Sequence, residues 1–65
     1  MTFRELAENQ GLFVTTNNVV YFESYEMTSD FAHEALEAGI RTEVHKGTND
    51  GKTTYAVVEK LEDKR

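Results

Sequence analysis

The apolar residues of this chain change their spacing along the sequence, and each spacing predicts a different element. In the segment 28–38 they recur at helical intervals, at Phe31, Ala32, Ala35 and Leu36. Side chains three to four positions apart lie on the same face of a helix, whereas polar residues fill the other faces. The pattern therefore predicts an amphipathic helix over 28–38.

Capping residues mark both ends of this helix. Thr28, Ser29 and Asp30 can each accept a hydrogen bond from the free N–H groups of a first turn. Gly39 can adopt the left-handed conformation without steric cost, and Ile40 can then fold back onto the helix as in a Schellman motif. The sequence predicts a helix that begins at about residue 28 and stops at Gly39.

A second, shorter helix is expected at the beginning of the chain. The residues from Thr2 to Glu5 match the capping box, in which the threonine hydroxyl and the glutamate carboxylate each accept from a backbone N–H of the other residue. The predicted helix has a modest apolar stripe and runs through Gln10, and Gly11 is a suitable stop. This helix must pack against the rest of the chain, because short helices are marginal in isolation.

Between residues 12 and 24 the apolar spacing changes to two. The runs LFVTT and VVYFES surround Asn17-Asn18, and asparagine tolerates the positive φ of a two-residue type I′ turn. The pattern predicts a β-hairpin with apolar residues on both faces. Such a strand pair requires cover on both sides, from the helices or from a second copy of the chain.

A second hairpin is predicted after the helix. Ile40, Thr42 and Val44 alternate with polar residues, Asp50-Gly51 is a strong turn signal, and 53–61 reads as a further strand. The charged residues 62–65 are expected to fray. The chain is therefore predicted to be a single α+β domain over 1–65, in the order α-β-β-α-β-β, with helices packed on a four-stranded, largely antiparallel sheet.

Composition adds two constraints to this picture. The chain has 65 residues and no cysteine, so disulfides cannot compensate for a small core, and a homodimer is expected because it would bury more surface. The sequence shows neither a signal peptide nor a long apolar run. A cytoplasmic location without membrane insertion is the corresponding expectation.

Negative charge is concentrated in the first forty residues. The net charge is −5, and residues 1–40 carry seven acidic side chains against Arg4 alone. Such a field attracts a basic surface and repels nucleic acid. The leading hypothesis is a non-enzymatic module that binds and modulates or inhibits a protein with a basic surface; one form is a phage or mobile-element accessory protein that mimics nucleic acid. The predicted partner-binding residues are Glu23, Glu26, Asp30, Glu34 and Glu37.

The alternative is a regulator that binds nucleic acid through the second hairpin. Basic residues cluster there, and an aromatic ring among them can stack on a base. The residues predicted for this role are Arg41, Lys46, Lys52 and Tyr55. Interspersed acids and the negative charge of the whole chain argue against it, so nucleic acid is the less favoured partner.

The sequence does not indicate an enzyme. His33 and Glu37 are spaced to share a metal ion on one helix, but a competent site needs further ligands that the neighbouring sequence does not clearly supply. His45 belongs to a different element, and no glycine-rich loop precedes a helix. We therefore expect no catalytic residues, no metal site and no cofactor.

Overall fold

The computed structural model describes residues 1–60, and it shows a small α+β fold. Within these residues, two helices and a three-stranded antiparallel sheet follow one another as α1 (Phe3–Asn9), β1 (Val19–Phe22), α2 (Tyr25–Glu37), β2 (Thr42–Asn49) and β3 (Lys52–Glu59). The α+β class is confirmed. The predicted four strands and the order α-β-β-α-β-β are wrong. The predicted frayed tail, 62–65, and the last residue of the predicted fourth strand lie outside the described residues.

Helix α1 begins with the predicted capping box. The Thr2 hydroxyl accepts from the Glu5 N–H at 3.1 Å, and the Glu5 carboxylate accepts from the Thr2 N–H at 2.9 Å. The hydrogen bond from the Thr2 backbone favours the charged carboxylate and lowers the pKa of Glu5 below its usual value. Two of the free N–H groups at this end of the helix are thereby satisfied.

Helix α2 begins three residues before the predicted start at Thr28. Ser24 is the N-cap, and its hydroxyl accepts from the Met27 N–H at 3.4 Å. Thr28 is buried in the first turn, where its hydroxyl donates to the Ser24 carbonyl at 2.8 Å. Threonine hydroxyls in helices often bond the carbonyl four residues back. The prediction placed the cap among Thr28, Ser29 and Asp30 because three consecutive residues of this kind are a strong N-cap signal.

Both helices end with the same closure. At the end of α2, the Ile40 N–H donates to the Ala35 carbonyl at 2.8 Å and Gly39 has φ +82°, which confirms the predicted Schellman motif. At the end of α1, the Leu12 N–H donates to the Ala7 carbonyl at 3.0 Å across Gly11. In each case the apolar residue after the glycine is turned back towards the core.

The predicted first hairpin does not form. After the closure at Leu12 the chain runs without regular structure. Its hydrogen bonds to β1 join Thr15 and Val19: the Thr15 N–H donates to the Val19 carbonyl at 3.0 Å, and the Val19 N–H donates to the Thr15 hydroxyl at 3.0 Å. Asn18 has the left-handed conformation, φ +62°, and its N–H donates to the Thr15 carbonyl, so the loop has three residues instead of two. The segment 12–16 is therefore not a strand, and β1 pairs with β3.

The second hairpin forms as predicted and supplies the rest of the sheet. Asp50 and Gly51 have φ values of +52° and +77°, which are the values of a type I′ turn, and Asn49 pairs with Lys52. The strand order is β1-β3-β2, so β3 occupies the centre and both of its neighbours are antiparallel to it. The central strand β3 therefore pairs with β1 although the two strands lie far apart in sequence.

The core lies on one face of the sheet. Val20, Phe22 and Val57 point to this covered face, and Phe31 of α2 packs against Phe22 and against Phe3 of α1 with ring centroids 5.6 Å apart in both pairs. The other face, which we call the open face, presents the alternate residues of the same strands. Its apolar members are Val19, Tyr21, Ala56 and Val58.

Candidate acidic interface

Helix α2 presents a row of acidic side chains on one side. Its members, which we call the acidic ridge, are Glu26, Asp30, Glu34 and Glu37. At about 100° per residue they fall within an arc of roughly 80°. Because α2 begins at Tyr25, Glu26 lies inside the helix and joins the row, whereas the sequence placed it before the helix.

The acidic ridge lies away from the core. The buried residues of α2 are Thr28, Phe31 and Ala35, which occupy the other side of the helix, and all four ridge residues are exposed. Along the helix axis the row extends over about 16 Å, at 1.5 Å per residue. Within residues 1–60, no lysine or arginine forms an ion pair with it; Glu37 contacts His33 at 3.2 Å. The ridge therefore presents its negative charge to solvent.

One flank of the ridge borders a shallow groove. The Gln10 side chain, just after α1, donates a hydrogen bond to the Glu34 carboxylate and so connects the two helices. Leu12 and Met27 line the groove between them, and Asp30 lies on its acidic wall. A lysine or arginine side chain has the complementary form, since its apolar stem can contact Leu12 and Met27 while its charged end reaches the carboxylates.

Glu23, the remaining predicted partner-binding acid, lies apart from the ridge. It occupies the link between β1 and the Ser24 cap, and it borders a concavity on the sheet together with Tyr21 and His45. The structure therefore brings together four of the five predicted acids and places the fifth beside the open face.

The residues predicted for nucleic-acid binding are distributed over the second hairpin. Lys46 lies opposite Tyr55 on β3, and the Tyr55 ring packs edge-on against Tyr25 at 5.9 Å. Lys52 is at the turn, and its side chain belongs to the other face of the sheet because the faces alternate along a strand. Arg41 is at the opposite end of the ladder, about 26 Å away at 3.3 Å per residue. The hairpin brings Lys46 and Tyr55 together and separates the other two.

The two histidines lie on separate elements, each beside a glutamate. His33 contacts Glu37 on α2, and His45 contacts Glu43 on β2 at 3.4 Å. Among residues 1–60, no group of three or more histidine, aspartate or glutamate side chains is arranged to hold a metal ion. The histidines therefore accompany the carboxylates on exposed surfaces of two different elements.

Sequence reasoning missed the groove beside the ridge. Gln10 and Leu12 were assigned to a helix end and to a strand, so neither was expected near Glu34. The signal was nevertheless present, because Gly11-Leu12 repeats the pattern of Gly39-Ile40. A second closure of this kind would have placed Leu12 against its own helix and outside a strand, although its position next to α2 depends on tertiary packing.

Comparison with known proteins does not assign this chain to a family. No protein family, curated protein or solved structure matches the chain. In the part of the chain that the structure describes, neither helix has the length and apolar character needed to cross a bilayer. The proposed function therefore rests on the acidic ridge and its groove.

Proposed function

We propose that this protein is a non-enzymatic interaction module that binds a basic surface of another macromolecule through the acidic ridge, and that it modulates or inhibits that partner. The observation that supports the proposal is the alignment of Glu26, Asp30, Glu34 and Glu37 on the exposed side of one helix whose opposite side is fixed in the core. The charges are therefore held at set distances by a rigid element.

Helix stability accounts for only one member of this arrangement, Glu26, which lies in the first turn, where the helix dipole favours a negative charge. Like charges four residues apart, such as Asp30 and Glu34, destabilise a helix by a few tenths of a kcal/mol. Glu37 lies in the last turn, where the helix dipole disfavours a negative charge. A binding role supplies a reason for the placement, because complementary charge increases association rates and selects the partner.

The favoured partner is a protein with a groove or face rich in lysine and arginine. The ridge carries one charge per about 5.5 Å of helix axis, compared with 3.4 Å per phosphate in one strand of DNA. The charge density of the ridge is thus lower than that of a nucleic-acid strand, but its carboxylates are likewise arranged in a row on a rigid element, so an inhibitor that mimics nucleic acid is the most specific form of the proposal. We further propose that the module is a homodimer that acts in the cytoplasm as an accessory protein of a phage or mobile element.

The test is affinity capture from nuclease-treated lysate, followed by measurement of the dissociation constant with the purified partner. The double variant Glu34→Lys with Glu37→Lys reverses half of the ridge and is expected to abolish binding without altering the circular dichroism spectrum. Binding of the unmodified protein is expected to weaken as salt increases.

A matched control separates the ridge from overall charge. Glu8→Lys with Glu59→Lys changes the net charge equally but lies outside the ridge, and the Arg4–Glu8 pair that it removes, at 3.8 Å, is an exposed contact of little energetic value. This control is expected to retain binding. Equal loss in both double variants, or unchanged affinity in the ridge variant, would contradict the proposed role of the ridge.

A further inference from the structure

Strand β2 forms a long, exposed edge of the sheet. It is the last strand in the order β1-β3-β2, and seven of its eight residues are exposed. Its pairing with β3 continues without a bulge from Thr42–Glu59 to Asn49–Lys52. Proteins usually protect such edges with charged side chains, proline or bulges, because an unpaired edge is a template for another strand. Strand β2 carries Glu43 and Lys46 but has neither a proline nor a bulge.

The pairing with β3 determines which backbone groups of β2 face outwards. Asn49 and Lys52 flank a two-residue turn and so exchange hydrogen bonds, and the Arg41 carbonyl accepts from the Lys60 N–H at 2.8 Å at the other end. Bonding alternates along an antiparallel strand. The N–H and C=O groups of Thr42, Val44 and Lys46 therefore point away from β3.

We propose that a second copy of the chain pairs with this edge, β2 against β2, across a two-fold axis at Val44. The two three-stranded sheets would then form one continuous antiparallel sheet. This inference rests on the homodimer proposed above and names its interface. It does not depend on the acidic ridge, which belongs to a different element.

The side chains that flank Val44 favour one register, because a carboxylate can accept a hydrogen bond from an imidazole but not from another carboxylate. With Val44 opposite Val44, Glu43 of each copy lies opposite His45 of the other, and Thr42 lies opposite Lys46. The Glu43–His45 positions do not exchange backbone bonds, so their side chains approach most closely. A shift of two residues in one direction would place Glu43 opposite Glu43, and in the other direction His45 opposite His45. Only the register centred on Val44 pairs the acid with the imidazole.

Apolar surface at this edge supports the same partner. Val44 points to the helix side of the sheet and is still 44% exposed, although its neighbour Val57 on β3 is fully buried. Leu36, 63% exposed, borders a groove between α2 and the start of β2. The aliphatic stem of Lys46 from the second copy, opposite Thr42, would extend towards that groove. Pairing would thus cover apolar side chains in addition to the backbone edge.

The chain contains no cysteine, so single cysteine variants can map the interface directly. In the proposed register two Cys residues introduced by Val44→Cys have Cα atoms about 5.5 Å apart, within the range of a disulfide. Thr48→Cys is the matched control on the same edge, where the two Cα atoms are about 26 Å apart. We expect mild oxidation of the purified protein to give a covalent dimer with Val44→Cys only.

Other cross-linking outcomes overturn the inference. Faster dimer formation by Glu43→Cys or His45→Cys would indicate another register. Equal formation by Val44→Cys and Thr48→Cys, or none above background with either, would show that the copies do not meet at this edge. The circular dichroism spectra of the reduced variants establish that each one folds.

Sedimentation equilibrium on proline and charge variants provides an independent readout. Val44→Pro removes an outward N–H and leaves the bonds to β3 intact, so we expect a folded monomer, whereas Thr48→Pro lies outside the strand overlap and remains dimeric. Should Val44→Pro not fold, N-methylation of Val44 in synthetic protein removes the same donor and keeps the side chain. A dimer that persists in these Val44 variants overturns the inference. So does a dimer that is lost through Tyr21→Lys, which changes the open face at β1, on the other edge of the sheet.

Charge exchange tests the register itself. His45→Glu places like charges opposite each other and is expected to weaken dimerisation by about tenfold, and adding Glu43→Lys is expected to restore it. Absence of this rescue contradicts the pairing. These measurements use the purified protein alone. A monomer that still binds its partner through the ridge overturns only the interface, and a dimer without ridge-dependent binding overturns only the proposed function.

Discussion

The two faces of the sheet are built from alternate residues of the same strands, and only one of them is covered. On β1, Phe22 is 6% exposed whereas the adjacent Tyr21 is 58% exposed; on β3, Val57 is buried whereas Val58 is partly exposed. The residue types are similar, so hydrophobicity alone does not determine burial. What differs is the position of the helices, both of which pack on one side. A chain of this size has too little material to cover two faces.

The largest expected contrast between the faces is at β1. Phe22→Ala removes a ring that packs on Phe31 and should cost about 3–5 kcal/mol. Because the total stability expected for such a chain is about 3–10 kcal/mol, this loss is a large fraction of it and should lower the urea midpoint steeply. Tyr21→Ala, on the open face, should cost about 1 kcal/mol or less. Urea denaturation monitored by circular dichroism measures both, and comparable losses would show that the open face is buried in solution.

A smaller contrast is expected at β3, with identical substitutions at adjacent positions. Val57→Ala leaves a cavity in the core and should reduce the free energy of unfolding by about 2 kcal/mol, whereas Val58→Ala should reduce it by about 0.5 kcal/mol. Thermal and urea unfolding of the two variants are the measurements. An equal effect at both positions would argue against the one-sided core.

The closure that directs Ile40 to the covered face offers a further test. Gly39→Ala forces alanine into φ +82° and should destabilise the protein by about 1 kcal/mol. Gly47→Ala is the control, because Gly47 lies in β2 at an ordinary φ with open space around a new Cβ, and it should be neutral or slightly stabilising. Equal destabilisation by the two variants would mean that the left-handed closure is not the cause.

The smallest expected effect concerns the capping box that starts α1 on the covered side. The pKa of Glu5 is lowered in the folded state, so its contribution to stability is present above the ordinary glutamate value of 4.5 and is lost as the pH falls through the lower folded value. Glu5→Gln should remove this part of the pH dependence. Denaturation midpoints measured between about pH 6 and pH 3 test this expectation, with Glu8→Gln on the same helix as the control. Parallel curves of stability against pH for Glu5→Gln and the unmodified protein would contradict the expectation.

The parts of the fold that could be predicted are those encoded by neighbouring residues. The Thr2–Glu5 capping box, the stop at Gly39 and the Asp50-Gly51 turn each depend on a few adjacent positions, and each forms as expected. The start of α2 was misplaced because Ser24 and Thr28 are both good caps, and only the buried position of Thr28 decides between them.

Strand pairing was not accessible in the same way. The pattern of 12–16 is compatible with a strand, but the closure at Leu12 and the three-residue loop before Val19 limit its hydrogen bonds with β1 to those between Thr15 and Val19. Nothing in the local sequence records that Val20 pairs with Val57. The same applies to the candidate site, since the acids of α2 were identified from spacing whereas the groove that Gln10 and Leu12 form beside them depends on tertiary packing.

The central position of β3 has a consequence for how the protein is made. Strands β1 and β2 both depend on a segment that follows them in the chain, so neither can join a sheet until residues 52–59 have been synthesised. Both helices emerge before β3, so the sheet on which they pack is still incomplete at that point. We therefore expect stable structure to form only once β3 has been synthesised, in a single cooperative step, with the amide hydrogens of β3 exchanging most slowly.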